Sequence, residues 1–305
     1  MPEERKHRRS DRRDGWWIRD VDPMHAVTPY ITPNRTDNEA VLGELIDITQ
    51  VNEYLEKKNA NNPEFRYTWF HVICAAIAKT VILRPKMNYF ISGHRMYERK
   101  KVELAFVVKK RFSDDASEAL AKVVIDKNGK APIEQFYEQV KAFVYDVRVK
   151  GNTEDITKKM DWFSKLPRWV FRIVIKILMK MEYYGRMPKA FSSGDPNYSS
   201  VFISNLGSIK MNADYHHLSN WGTNSFFVVI GEKHMHAYFK EDGSYDMREA
   251  IKLGITIDER IADGLYFANS LKILRYLLAN PDLLELDANA PIDINHSDKK
   301  EKVGI

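Results

Sequence analysis

Apolar residues recur along the chain with two different periods, and the changes from one to the other lay out its elements. Leu42 to Ile48 predicts a strand, and Asp47-Ile48-Thr49 leads into a short helix, Gln50 to Lys58. Thr68 is placed to cap a longer helix on which Val72, Ile73, Ala76, Ile77, Thr80 and Val81 make a wide, mostly apolar face. Arg84-Pro85 ends it, because the proline ring disfavours helical backbone in the preceding residue. Strands are predicted over Met87 to Ile91, Arg95 to Glu98, Val102 to Val108 and Lys122 to Ile125. Ile133, Phe136, Val140, Phe143, Val144 and Val147 return to the helical period. Ser200 to Ser204, Ser225 to Ile230 and Ala250 to Ile257 read as strands again, and Phe267, Leu271, Leu274 and Leu278 mark a last helix. Helices alternating with strands, several in hairpin order, predict an α/β two-layer sandwich with a mixed β-sheet. There is no internal repeat.

With 305 residues, 44% of them apolar, the chain is long enough to bury a full core. Its one cysteine, Cys74, leaves no internal disulfide and fits a reducing compartment. The charged N-terminus has no apolar signal core, and no apolar run is long enough to predict a spanning helix, so a cytoplasmic protein is expected. Residues 1–15 lack periodicity and predict a mobile basic tail, residues 16–290 a single domain, and residues 291–305 a polar tail. The net charge of +5 is local: residues 158–189 carry nine basic and two acidic groups. That concentration argues against a broad nucleic-acid face and for a local anionic partner.

Four stretches carry motifs in order: Ala40 to Leu55 with Asp47-Ile48-Thr49, Phe70 to Asn88, Ser204-Asn205-Leu206-Gly207, and Asp258-Glu259-Arg260-Ile261-Ala262-Asp263-Gly264 followed by Asn280-Pro281-Asp282-Leu283-Leu284. Together they resemble the catalytic domain of the dihydrolipoyl (2-oxo acid dehydrogenase) acyltransferases, of the chloramphenicol acetyltransferase-like superfamily. The resemblance runs from about residue 25 to 285. It implies a two-layer α/β fold assembled as a homotrimer, with active sites between subunits. Coenzyme A or acyl-CoA would be a substrate, with no tightly bound cofactor and no metal. A free-standing catalytic-type domain, without lipoyl or peripheral-subunit-binding domains, is expected.

In that family a histidine takes the proton of a thiol, and a serine hydroxyl donates a hydrogen bond to the oxyanion formed when the thiolate attacks an acyl carbonyl. Carried across, Ser204 is the oxyanion donor, Asp263 the anchor of the active-site loop and Gly264 its turn residue. Asn205, Gly207 and Gly264 are the expected contacts to the coenzyme. The histidine position holds Glu259. A glutamate near 4.3 facing a thiol near 8.5 leaves proton transfer uphill by about 4 units, or about 5–6 kcal/mol. Burial between subunits closes most of that gap if it raises the carboxyl by ~3–5 units. The pair His216-His217 is a second candidate, because imidazole titrates near 6.5. On a strand the two would point to opposite faces. His234 and His236 read as surface residues. A third reading is an inactive site on a trimeric scaffold or ligand-binding protein.

The segment at about 160–186 is longer than the family core needs. Arg168, Arg172, Lys176 and Lys180 fall every fourth residue, spanning about 120° of a helix that is otherwise almost wholly apolar. The expectation is packing on the domain or in the trimer with the basic stripe in solvent. The alternatives are a helix on an anionic membrane surface, with Trp162, Trp169 and Phe171 in the interface, or a lid over the substrate channel.

Overall fold

The computed structural model describes residues 5–109, 118–149 and 165–293. The chain runs β1 (Gly15–Trp17), α1 (Pro23–Ile31), β2 (Glu39–Asp47), α2 (Thr49–Lys58), α3 (Trp69–Leu83), β3 (Tyr89–Ser92), β4 (Arg95–Arg99), β5 (Val102–Lys109) and β6 (Glu118–Ile125). After α4 (Pro132–Val149) come α5 (Arg168–Tyr183), a helical turn at Lys189–Ser192, β7 (Val201–Asn205), β8 (Phe226–Phe239), β9 (Tyr245–Asp258) and α6 (Gly264–Ala279). This is the expected two-layer α/β sandwich with a mixed sheet. Six strands lie in the order β2-β9-β8-β7-β5-β6, with β7 parallel to both neighbours and the other pairs antiparallel. A small second sheet has the order β1-β4-β3.

Alternation along each strand sends one set of side chains into the helical layer. Val201 and Ile203 join the main core, whereas Phe202 belongs to a separate cluster on the other face. The layer is built on α3, whose interior is buried from His71 to Val81. The proline predicted to stop it lies just beyond its end, at Pro85.

The other face is crossed by residues 210–224, a strap without regular structure. It lies flat because glycines face it. A Cβ on Gly254 would collide with the Asp214 carbonyl, and one on Gly231 with the Ala213 amide. Ala213 and Leu218 of the strap pack on Phe227 and Val229 of β8.

Three expectations change. The paired strands β8 and β9 are longer than the periodicity predicts, because a hairpin joins Phe239 to Tyr245 beyond the core where exposure hides the alternation. The expected tail is shorter, since Arg12 is buried and its guanidinium meets Asp14 and Glu182, both at 2.9 Å, while Gly15 opens β1. The basic helix packs only in part: Leu178 and Glu182 are its buried residues. Trp162 lies outside the described residues, as do 294–305 of the expected polar tail. Among the described residues no helix is long and apolar enough to cross a membrane.

Candidate active site

β9 ends on a buried ion-pair cluster. Arg260 grips Asp258 through Nε and Nη2, both at 2.7 Å, and its Nη1 donates to the carbonyls of Thr32 and Pro33. Arg35 approaches from the other side, its Nε 3.6 Å from Asp258 Oδ2, and also donates to the carbonyls of Ser219, Ile91 and Gly222. Burial pushes the Arg35 guanidinium below its usual range, and Asp258 opposes that. Between these fixed groups Glu259 turns outward: it is exposed and bonds to no described side chain or backbone group.

Asp263, expected to anchor the loop, is exposed and caps α6, accepting from the Tyr266 amide at 2.7 Å. The residue that ties the loop to the body is Asp258. Gly264 opens α6 with free space where a Cβ would go.

Ser204 lies at the far end of β7, half-buried, on the strap side of the sheet. Its hydroxyl makes no hydrogen bond to a described residue. The turn after it is self-supporting. Asn205 accepts from the Ser208 amide at 3.3 Å, and Gly207 sits where a Cβ would strike the Gly231 carbonyl. Asn205 and Gly207 thus shape the turn that presents Ser204.

His216 and His217 are in the strap, not on a strand, so the expected opposite orientation fails. Their rings stack on each other at 4.8 Å, and His216 lies flat on Phe227 at 4.2 Å. Phe227 pairs with Phe202, two residues before Ser204, which places His216 on the serine's face of the sheet. His234 and His236, their rings 6.4 Å apart, lie on the extension of β8 beyond Ile230. Among the described residues no group of His, Cys, Asp or Glu could hold a metal.

Ser204 and Glu259 do not meet within the chain. Ser204 is level with Val229 and Gly254 across two strand spacings, and Glu259 is five residues beyond Gly254, just past the end of β9. At about 3.3 Å per residue and about 4.8 Å per strand, they stand about 15–20 Å apart. Beside the Glu259 loop is a cavity of about 330 Å³ whose lining includes Arg35, Arg260, His94, Asn220 and, from α5, Met179 and Tyr183.

The architecture is shared with solved acyltransferases. The cubic core of the pyruvate dehydrogenase multienzyme complex superposes with a TM-score of 0.54 at 16% identity, covering 88% of this chain and 94% of that one. Dihydrolipoamide acetyltransferase from Azotobacter vinelandii also gives 0.54, at 18% identity and the same coverages. A chloramphenicol acetyltransferase gives 0.51 at 11% identity, over 87% and 99%. The fold is that of the chloramphenicol acetyltransferase-like acyltransferases. No family model matches the chain, and no curated protein does.

Within this acyltransferase fold, sequence reasoning picked out the serine turn and the β9 loop. It missed Arg35 as the second cation on Asp258 and the strap that brings His216 over Phe227. The signal for the strap was present as Gly43, Gly231 and Gly254, three strand glycines with no turn to serve.

Proposed function

We propose that the protein is a trimeric, cytoplasmic acyltransferase of the dihydrolipoyl acyltransferase type that uses acyl-coenzyme A, with Glu259 as the base. One observation carries this reading: Ser204 and Glu259 are open, unpartnered half-sites at opposite ends of one sheet. Each needs a neighbouring copy to supply the other. The exposed apolar side chains of α1, Met24 at 72%, Tyr30 at 66% and Ile31 at 73%, supply a surface for such assembly.

In the assembled site the Glu259 carboxylate takes the proton of the acceptor's thiol, amine or hydroxyl. The freed nucleophile attacks the thioester carbonyl, and Ser204 Oγ donates to the resulting oxyanion. Collapse breaks the carbon–sulfur bond, and the coenzyme A thiolate takes the proton back from Glu259.

The test follows release of free coenzyme A from acetyl-CoA with small thiol, amine and hydroxyl acceptors. Ser204→Ala and Glu259→Gln each abolish turnover, and co-assembling the two variants restores part of it, because one intact site forms between unlike copies. Absence of turnover in the wild type with every acceptor overturns the reading and leaves a scaffold. The position of His216 on the Ser204 face supports a second reading, with the imidazole as base. In that case His216→Ala is inactive and Glu259→Gln is not.

A further inference from the structure

Helix α5 presents to the outside a surface that its attachment to the protomer leaves unused. It is held by its inner side, where Leu178 and Glu182 are buried and Val174 and Met181 pack against Tyr198 and Met187. Glu182, the helix's one carboxylate, turns inward to Arg12 at 2.9 Å. At 100° per residue these inner positions cluster within about 100° of the helix.

The opposite side sets a ridge of charge beside a ridge of hydrocarbon. Arg168, Arg172, Lys176 and Lys180 are exposed and form no ion pair with a described residue. On the ridge beside them lie Trp169 at 68% exposure, Ile173 at 49% and Ile177 at 53%. Contiguous apolar exposure of this kind marks an interaction surface. Its charge selects the partner: the outward face carries cations and no carboxylate, so the same face of a second copy is repelled. An acidic lipid surface satisfies both components at one depth. Lysine and arginine reach the headgroup phosphates while the indole and the isoleucines enter the acyl boundary.

We infer that α5 lies in the plane of an anionic bilayer, outward face down, and tethers the protein there. The helix covers about 24 Å of that plane. The tether is independent of the acyl-transfer reading above, since it uses neither Ser204 nor Glu259.

The full-length protein is mixed with vesicles of phosphatidylcholine, or of phosphatidylcholine with roughly 30% phosphatidylserine, and co-flotation is measured. Expected are flotation with the anionic vesicles only and release by high salt. Arg172→Gln with Lys176→Gln weakens partitioning on the order of 30-fold. Trp169→Ser with Ile173→Ser also weakens it. All four side chains are exposed, so melting temperature stays unchanged and a loss of binding is not a loss of fold. No flotation, or flotation indifferent to both double variants, overturns the inference. So does a change of oligomeric state in sedimentation without lipid, which assigns the face to a neighbouring copy. Ser204→Ala floats like the wild type, so failure of catalysis and failure of tethering are separately read.

Discussion

Arg260 holds Asp258 in a two-pronged ion pair, both contacts 2.7 Å and both residues 2% exposed or less. The pair brackets Glu259, so that outward carboxylate stands on a rigid base. Arg35 adds a second cation 3.6 Å from Asp258. Replacing Asp258 by asparagine keeps the shape and strands two buried guanidinium groups, which costs about 3–5 kcal/mol. Urea unfolding followed by circular dichroism measures it. Glu259→Gln, at an exposed position without partners, stays within about 0.5 kcal/mol of the wild type in the same assay.

The strap depends on flat glycine contacts. At Gly254 an added methyl meets the Asp214 carbonyl, part of a backbone that cannot yield locally. At Gly43, its pairing partner on β2, the nearest atom is the Tyr215 hydroxyl at 3.5 Å, ordinary contact. Gly254→Ala therefore destabilises by about 1–3 kcal/mol and speeds hydrogen exchange at Ala213 to Leu218. Gly43→Ala leaves both nearly unchanged. Equal effects of the two substitutions would refute the close-packed strap.

What could be read in the sequence was what one element contains. The period of α3, its start at Thr68 and its stop at Pro85 are local, and each lies where the pattern placed it. The turn after Ser204 was legible because Asn205 closes it locally, on the Ser208 amide. Arg35 was not, because its bond to Asp258 joins segments remote in the chain and no periodicity announces a salt bridge. Arg12 looked like one charge among many in a polar tail, and only Glu182 at the end of α5 gives it a buried place. The outward face of α5 was visible as a stripe, but which side packs was decided by Leu178 and that same Glu182.

Lys79 stands in the middle of the apolar helix α3 with no exposed surface. Its ammonium donates to the carbonyls of Leu283 at 3.0 Å, Asp287 at 3.0 Å and Leu286 at 3.4 Å, tying the segment after α6 to the core. Burial lowers its pKa, with Asp287 opposing. Lys79→Met fills the same space and leaves those carbonyls without their donor, at a cost of about 1–3 kcal/mol. Limited proteolysis then cuts the chain beyond Leu283 before it cuts elsewhere. An unchanged cleavage pattern with unchanged stability would remove the tie.

His71 gives the fold a sensitivity to acid that begins well above the carboxylate range. Its Nδ1 accepts from the Thr68 amide at 3.1 Å, closing the start of α3, and its ring is enclosed by Phe65, Phe70, Phe136 and Tyr137. The bond to Nδ1 leaves the proton on Nε2, which is buried without a partner. Burial pushes the imidazole from 6.5 down to about 4. The unfolded chain thus binds a proton below 6.5 that the folded chain refuses until about 4. Stability from this group is complete above pH 6.5 and is lost as pH falls through that window. The gap of about 2.5 pH units is worth about 3 kcal/mol. Glutamine at this position accepts the same cap bond without titrating. His71→Gln should therefore flatten the pH dependence between 6.5 and 4 by about that amount, read as the difference between urea midpoints of the two proteins across pH. Parallel curves would mean that the folded and unfolded chains bind this proton equally, so that burial does not shelter the ring.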